Sequence, residues 1–457
     1  MIQVIDDKKV HLSNFDLFAT QEGLGHPWLE KLRREAIARF DLVGFPSRKT
    51  EAWRFTNIDP IIRTPFKLGD VEISDEVEST AKHFTFGRDA VVELVFVNGR
   101  YVSTLGRHGK LPRGAKVCSI AAALETDGDV IERHLGKYAA IEQNAFVALN
   151  TGFVGDGAFI HLPRGTTIEG AIHLIFISTT GAEPTVSHPR VLVVADDNVE
   201  ATIVESYVGS GSGIYFTNAV TEFVTGADCR IDHCKLQQES LTAYHVATMQ
   251  VDLGTQSRFI SHAATVGGKL TRNDLNVKMN GERADATLNG LVIIGGDQHC
   301  DNHTLLHHEK AHCPSHELYK HVLSGRATCV FKGQIFVQKD AQKTDSKQSS
   351  KSLLLSDDAY MNSQPALEIY ADDVKCTHGS TIGPVDEEAV FYLRSRGVSV
   401  EAARHLLTYA FAADVTRRMR VAPVRRRLED FMAAQHGLPQ DLRITDLGAH
   451  DEAARNL

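Results

Sequence analysis

RVLVVADDNVEATIVESYVGSGSGIYFTNAVTEFV, residues 190–224, carries three short apolar runs with mainly Asp, Asn, Gly and Ser between them. The same texture extends outward in both directions. AFIHL (158–162) and IHLIFI (172–177) precede it, GLVII (290–294) and TCVF (328–331) follow, and no long helical stripe interrupts residues 145–375. Residues 190–364 contain one proline, Pro314, where an average usage of about 5% would place roughly nine. Proline removes a ladder hydrogen bond, so its scarcity fits strands paired on both sides. A sandwich or barrel would need hairpin turns between neighbours, and two-residue Asn-Gly or Asp-Gly turns are few in this block. Stacked coils of a β-solenoid accommodate that better, although the runs are too irregular to yield a fixed period.

On either side the character changes. Residues 14–58 read as helical, with Trp28, Leu29, Leu32, Ala36 and Phe40 on one stripe, Glu30, Arg33 and Arg34 off it, and Pro27 suited to a first helical turn. From Ala90 the period becomes two, and VVELVFVNGRYVS (91–103) sets Asn98-Gly99 between apolar runs, a strong hairpin signal. After Pro384 the chain is helical again: Ala402, Ala403, Leu406, Leu407, Ala410, Phe411 and Val415 form a stripe that Pro423 is expected to stop or kink. Six arginines between 417 and 427 fit a solvated helix face or a docking surface for an acidic partner. The expected organisation is therefore a mainly helical 1–89, a β-rich 90–385 and a helical 386–457.

The whole chain of 457 residues has 49 Lys+Arg against 58 Asp+Glu, a net charge of −9 that argues against nucleic-acid binding. At 42% hydrophobic and 23% charged it can bury a large core. The seven cysteines are odd in number and include no C-x-x-C pair, which fits a reducing, cytoplasmic compartment better than a disulfide framework. MIQVIDDKKV lacks a signal peptide's apolar stretch, and no uncharged apolar run approaches a membrane span, so no membrane role is expected.

Nucleotide-binding patterns are missing: there is no G-x-x-x-x-G-K-[ST], and GSGSG (209–213) has the wrong spacing for G-x-G-x-x-G. Seven histidines (His299, His303, His307, His308, His312, His316 and His321) lie within 23 residues. His316-Glu317…His321 has one residue too many for a zinc-protease helix, and on a strand its imidazoles would face opposite sides. Cys300-x-x-His303 with Cys313-x-x-His316 is a Cys₂His₂ set in outline. The competing reading stacks these side chains on solenoid coils. Cys229 and Cys234, at an odd offset, should lie on opposite faces of a strand as ordinary core and surface residues. Cys376 and His378, just after the strand-like ALEIYA, point the same way and could bind iron, zinc or copper. Two ligands do not close a site, so a second chain or inorganic sulfide would supply the rest; the alternative is a structural role.

Several long motifs occur in an order that resembles one family. LEIYADDVKCTHGSTIGPVDEEAVFYLRSRGVS (367–399) is similar to the C-terminal signature of the SufB/SufD iron–sulfur cluster assembly scaffolds. GIYFTNAVTEF (213–223), GGKLTRNDL (267–275), DNHTLLHH (301–308), SHELYK (315–320) and AQKTDSKQSSKSLLLS (341–356) match in turn, and GFPSRKTEAWRFTNI (44–58) looks like the SufD N-terminal segment. FYLRSRG (391–397) and the lack of clustered N-terminal cysteines place the chain nearer SufD. Ser380 stands where the family usually has Ala, and Pro384 is unusual at its place. The resemblance implies a right-handed parallel β-helix flanked by helical segments, and a complex with a SufB-like subunit and a SufC-like ATPase. The isolated chain is also expected to be able to form a homodimer. It places Cys376 and His378 at the SufB interface as candidate ligands of iron or a nascent cluster, with no cofactor held tightly by the chain alone. The segment 386–415 is then expected to dock the ATPase through Phe391, Tyr392, Leu393, Arg394 and Arg396; alternatively, Phe391, Tyr392 and Leu393 only pack it onto the solenoid end.

Two classes of function follow. The first is a non-catalytic scaffold subunit, or, as a variant, a SufB-like homodimeric scaffold. The second is a β-helix enzyme acting on polysaccharide, which would need paired carboxylates on one exposed face. No such pair stands out.

Overall fold

A computed structural model describes residues 8–22, 25–181 and 183–436. Its centre is a parallel β-solenoid in which successive strands alternate between two sheets. Each strand pairs with the one a coil later, and the register stays constant through one sheet. Ala201 lies beside Ile231, then Phe259, Ala286, Ser315, Ser346 and Cys376. Every backbone ladder is thus continued by the next coil at the usual spacing of about 4.8 Å, which explains why proline is excluded. Pro314 occupies the first position of its strand, Pro314–Leu323.

Alternation divides each strand between an inward and an outward row. Inward side chains from both sheets meet in one core that runs the length of the solenoid, including Ile203, Phe223, Phe259, Leu288 and Leu306. Outward apolar rows are covered by helices. The helix Asp75–Phe84 and the C-terminal helices Val400–Thr416 and Ala422–His436 lie on one sheet through Val77, Tyr409, Ala412, Leu428 and Met432. The other sheet is covered by Trp53, Ile58, Ile61, Phe66 and Phe146 from the N-terminal segments. Cys229 and Cys234 do face opposite ways, but neither is at the surface, because the outward Cys234 lies beneath these helices.

Other local expectations are refined. Strand Ala90–Val97 turns through Asn98 and Gly99, both at positive φ, into the antiparallel Arg100–Tyr101. Arg33, expected off the buried stripe of helix Pro27–Val43, is itself buried and donates to the Val154 carbonyl at 2.6 Å. Pro423 begins the last helix rather than ending the one before it, as its fixed φ and missing N–H allow. In Val400–Thr416 Ala410 is exposed, and the most buried face runs through Ala403, Tyr409, Ala412, Ala413 and Thr416. The helix is covered from two sides, by the sheet and by its helical neighbours. The arginine run holds the chain to itself: Arg420 pairs with Asp232 at 3.1 Å, Arg426 with Asp89 at 3.2 Å, and Arg427 stacks on Phe84 at 4.1 Å. All seven cysteines are free, and no described helix is long and apolar enough to cross a membrane. Residues 437–457 of the expected C-terminal region lie outside the described residues.

Candidate functional site

The solenoid is closed at its start by the hairpin and helices and is open at its other end. There the last strand, Lys375–Gly383, pairs only with Asp345–Leu354, and its other edge has no strand partner among the described residues. Its inward row continues the columns beneath it. Cys376 follows Ser346 and Ser315; His378 follows Gln348, Glu317 and Leu288; Ser380 follows Ser350, Tyr319 and Gly290. Over the last two coils before the open end these columns carry mainly polar side chains.

Hydrogen bonds link these polar positions from coil to coil. His308 Nε2 lies 3.1 Å from Ser315 Oγ, which is 2.6 Å from Ser346 Oγ, one coil below Cys376. Gln348 Nε2 donates to Glu317 Oε2 at 2.6 Å, one coil below His378. Ser380 Oγ donates to Ser363 Oγ at 2.9 Å, and Ser363 donates to Ser350. Burial pushes the Glu317 carboxyl up to about 7. These residues escaped the sequence reading because their polarity resembles a surface; the available signal was DSKQSSKSLL (345–354), a solenoid strand with hardly any apolar residue to bury.

Cys376 and His378 do share one face, as their spacing of two requires. Cys376 is half-buried against the end of the core, and burial raises its thiol above the ordinary range, so the free side chain is a thiol rather than a thiolate. His378 is exposed. No third protein ligand joins them: among the described residues no group of three His, Cys, Asp or Glu is placed to hold a metal. The Cys₂His₂ set is dispersed. Cys300 and Cys313 point into the core, whereas His303 faces outward beside Asp301 at 3.1 Å and His316 is exposed on the other sheet. His316 and His321 point opposite ways, His321 into the bore and His316 out of it.

Beside the open end, Asp386 caps helix Glu387–Ser395 by accepting from the amides of Glu388 and Ala389. Its Leu393 packs inward with Leu353, Val385 and Val390. Phe391 and Tyr392 point outward at 71% and 58% exposure, too bare to be explained by packing on the solenoid. The Arg396 guanidinium lies 5.3 Å from the Tyr392 ring centroid, and Arg394 is exposed one position beyond Leu393. A second polar cluster lies deeper in the bore. Tyr207 donates to Glu205 at 2.6 Å and Lys235 to Asn273 at 2.6 Å, while burial pushes the Lys235 ammonium down to about 8.

The first described half of this geometry coincides with one protein-family model and the second with another. SufBD protein N-terminal region matches residues 15–174, and SUF system FeS cluster assembly, SufBD core domain matches residues 176–411. An iron–sulfur cluster assembly SufBD family protein of Synechocystis is 30% identical over 406 residues, spanning 86% of this chain and 89% of its own. The iron–sulfur cluster assembly protein SufD of Escherichia coli is 31% identical over 382 residues, spanning 82% and 86%. SufD of Bacillus subtilis is 24% identical over 422 residues, spanning 88% and 92%. With the two domains matched in order, a solenoid beneath them and relatives named SufD along most of its length, the chain belongs to the SufB/SufD family, on its SufD side, and works in iron–sulfur cluster assembly.

Proposed function

We propose that this chain is a non-catalytic subunit of a SufBCD-type complex, holding part of a nascent iron–sulfur cluster at its open solenoid end. The observation that carries this reading is an incomplete donor set on an unpaired edge: Cys376 and His378 on one face of the last strand, with no third ligand within the described chain. Neighbouring strand edges recruit further strands, so a SufB-like subunit seated here would bring the missing ligands. A metal would have to displace the Cys376 proton, which makes His378 the readier first ligand and Cys376 an assisting one. Histidine ligation raises a cluster's potential, and a mixed set suits a cargo that must be released. The outward Phe391 and Tyr392, with Arg394 and Arg396 beside them, form the surface for a SufC-like ATPase; aromatic and Arg anchors of this kind dominate interface energetics. ATP turnover then belongs to that partner, and the site of action is the cytoplasm.

The test is anaerobic assembly of the three-component complex with iron and sulfide counted per complex. His378→Ala should leave the subunits together and cut iron and sulfide at least roughly tenfold, with Cys376→Ala weaker. Phe391→Ala with Tyr392→Ala should instead lose the ATPase. Full cluster content in the His378 variant, or its failure to associate, would overturn the ligand role. Removing residues 386–457 is the poorer experiment, since helix Val400–Thr416 covers an apolar sheet face.

A further inference from the structure

One inward column of the bore carries sulfur on three successive coils. Cys300, on strand His299–His308, lies directly beside Cys329 on Thr328–Val337, and Cys329 lies beside Met361 on Tyr360–Ser363. All three point into the core, at 0%, 1% and 6% exposure. Residues in register on neighbouring strands are about 4.8 Å apart, so the three side chains stack at the spacing of the coils. Burial, and then the adjoining Cys300 sulfur, push the Cys329 thiol well above its ordinary range.

A core cysteine needs no polar support, yet a chain of donors inside the bore ends on this column. Lys235 Nζ donates to Asn273 Oδ1 at 2.6 Å, Asn273 Nδ2 to Asn302 Oδ1 at 3.0 Å, and Asn302 Nδ2 to Cys300 Sγ at 3.5 Å. Each amide is oriented by the group before it. An ammonium only donates, so Asn273 accepts with its oxygen and donates with its nitrogen, and Asn302 follows. The chain thus begins at a positive charge and finishes with an N–H aimed at sulfur. Lys235 is also near enough to Cys300 for charge on the two to attract. Outer hydrogen bonds of this kind orient and tune metal-bound side chains.

We propose that this column binds one soft monovalent cation, copper(I), between the Cys300 and Cys329 sulfurs, with the Met361 thioether as a weaker third ligand. Thiolate and thioether donors select such an ion. Two end-to-end metal–thiolate bonds of about 2.3 Å span neighbouring coils at their own spacing. Zinc is a poor match, because it takes four ligands, and no group of three His, Cys, Asp or Glu among the described residues is placed to hold a metal. On binding, both thiol protons leave, and the cation's single charge leaves the pair of thiolates at −1, which the Lys235 ammonium balances. No cavity is required, since the cation takes the place of two protons. It enters past Met361, whose strand is the last of its sheet and has no further strand partner among the described residues. Cys376 and His378 lie on the other sheet and take no part.

The test is anaerobic titration of the full-length chain with copper(I) against bicinchoninate, a coloured copper(I) chelator. The chain should withdraw one copper per molecule and release two protons, and X-ray absorption should show sulfur ligands only. Cys300→Ser combined with Cys329→Ser should lose that copper. Asn302→Ala, which keeps all three sulfurs, should weaken binding roughly tenfold. Met361→Leu, a swap of similar volume, should keep the stoichiometry and remove one sulfur from the absorption spectrum. Thermal unfolding checks the double variant; if it does not fold, the two single variants decide, and unchanged affinity in the first with an unchanged ligand count in the second would overturn the proposal. Copper held equally well by a folded double variant, nitrogen or oxygen ligands in the spectrum, or zinc bound as tightly as copper would each overturn it as well.

Discussion

Glu317 lies two coils beneath His378 in the same inward column, and burial makes it the group most sensitive to conditions near neutrality. Its folded carboxyl titrates near 7 against 4.5 in the open chain. A raised carboxyl pKa favours the fold at low pH, and that contribution fades as pH rises through 7. Glu317→Gln, which keeps the shape without the charge, should therefore match the native chain at pH 4.5. By pH 8 it should exceed it by on the order of 2 kcal/mol in urea unfolding; equal stabilities at both pH values would contradict the assignment. Cys376 and His378 were legible in the sequence because a spacing of two on a strand fixes a shared face regardless of tertiary detail. Glu317 and Gln348 were not, since nothing local distinguishes an inward polar residue from a solvated one.

Each coil turns into the second sheet through a tight corner whose amide bonds the corner above. Asn198 N donates to the Ala227 carbonyl, Asp228 N to Thr255, Gln256 N to Glu282, Arg283 N to Ala311, His312 N to Gln342 and Lys343 N to Asp373. All six residues adopt positive φ near 60°. These corners are the solenoid's true repeat. Their spacing runs from 27 residues (Gln256 to Arg283) to 31 (His312 to Lys343), and none is glycine, so the chain displays no periodic residue to read. Apolar texture and proline scarcity reveal paired strands; the corner period is carried by backbone conformation and stays hidden. Arg283 is exposed and β-carbon strain at positive φ is relieved by glycine. Arg283→Gly should stabilise the chain by roughly 0.5–1 kcal/mol in denaturant unfolding, whereas a loss would mean that the side chain, not the corner, governs this position.

Across the whole molecule, folding buries several imidazoles in neutral form. Burial pushes His11, His262, His308 and His321 down to about 4, and His188 to about 3, from 6.5. A lowered histidine pKa stabilises the fold above 6.5 and loses that contribution as pH falls toward 4. Each should cost about 1–2 kcal/mol between pH 6.5 and 5, opposite in sign to Glu317 and together larger. The urea midpoint should accordingly drop clearly from pH 7 to pH 5; a flat profile would show that these rings are not buried neutral in solution. The two ends of the solenoid differ in another way. Its start is sealed by helices and a hairpin, while its far end leaves strand edges without a partner among the described residues, beside the exposed Tyr360, Ile369, Tyr370 and Ile382. Bare edges next to apolar side chains pair with whatever strand they meet. The chain on its own is therefore a molecule that is sticky at one end only. Overexpression alone should yield end-to-end pairs, not open-ended fibres, because the sealed end stops further growth.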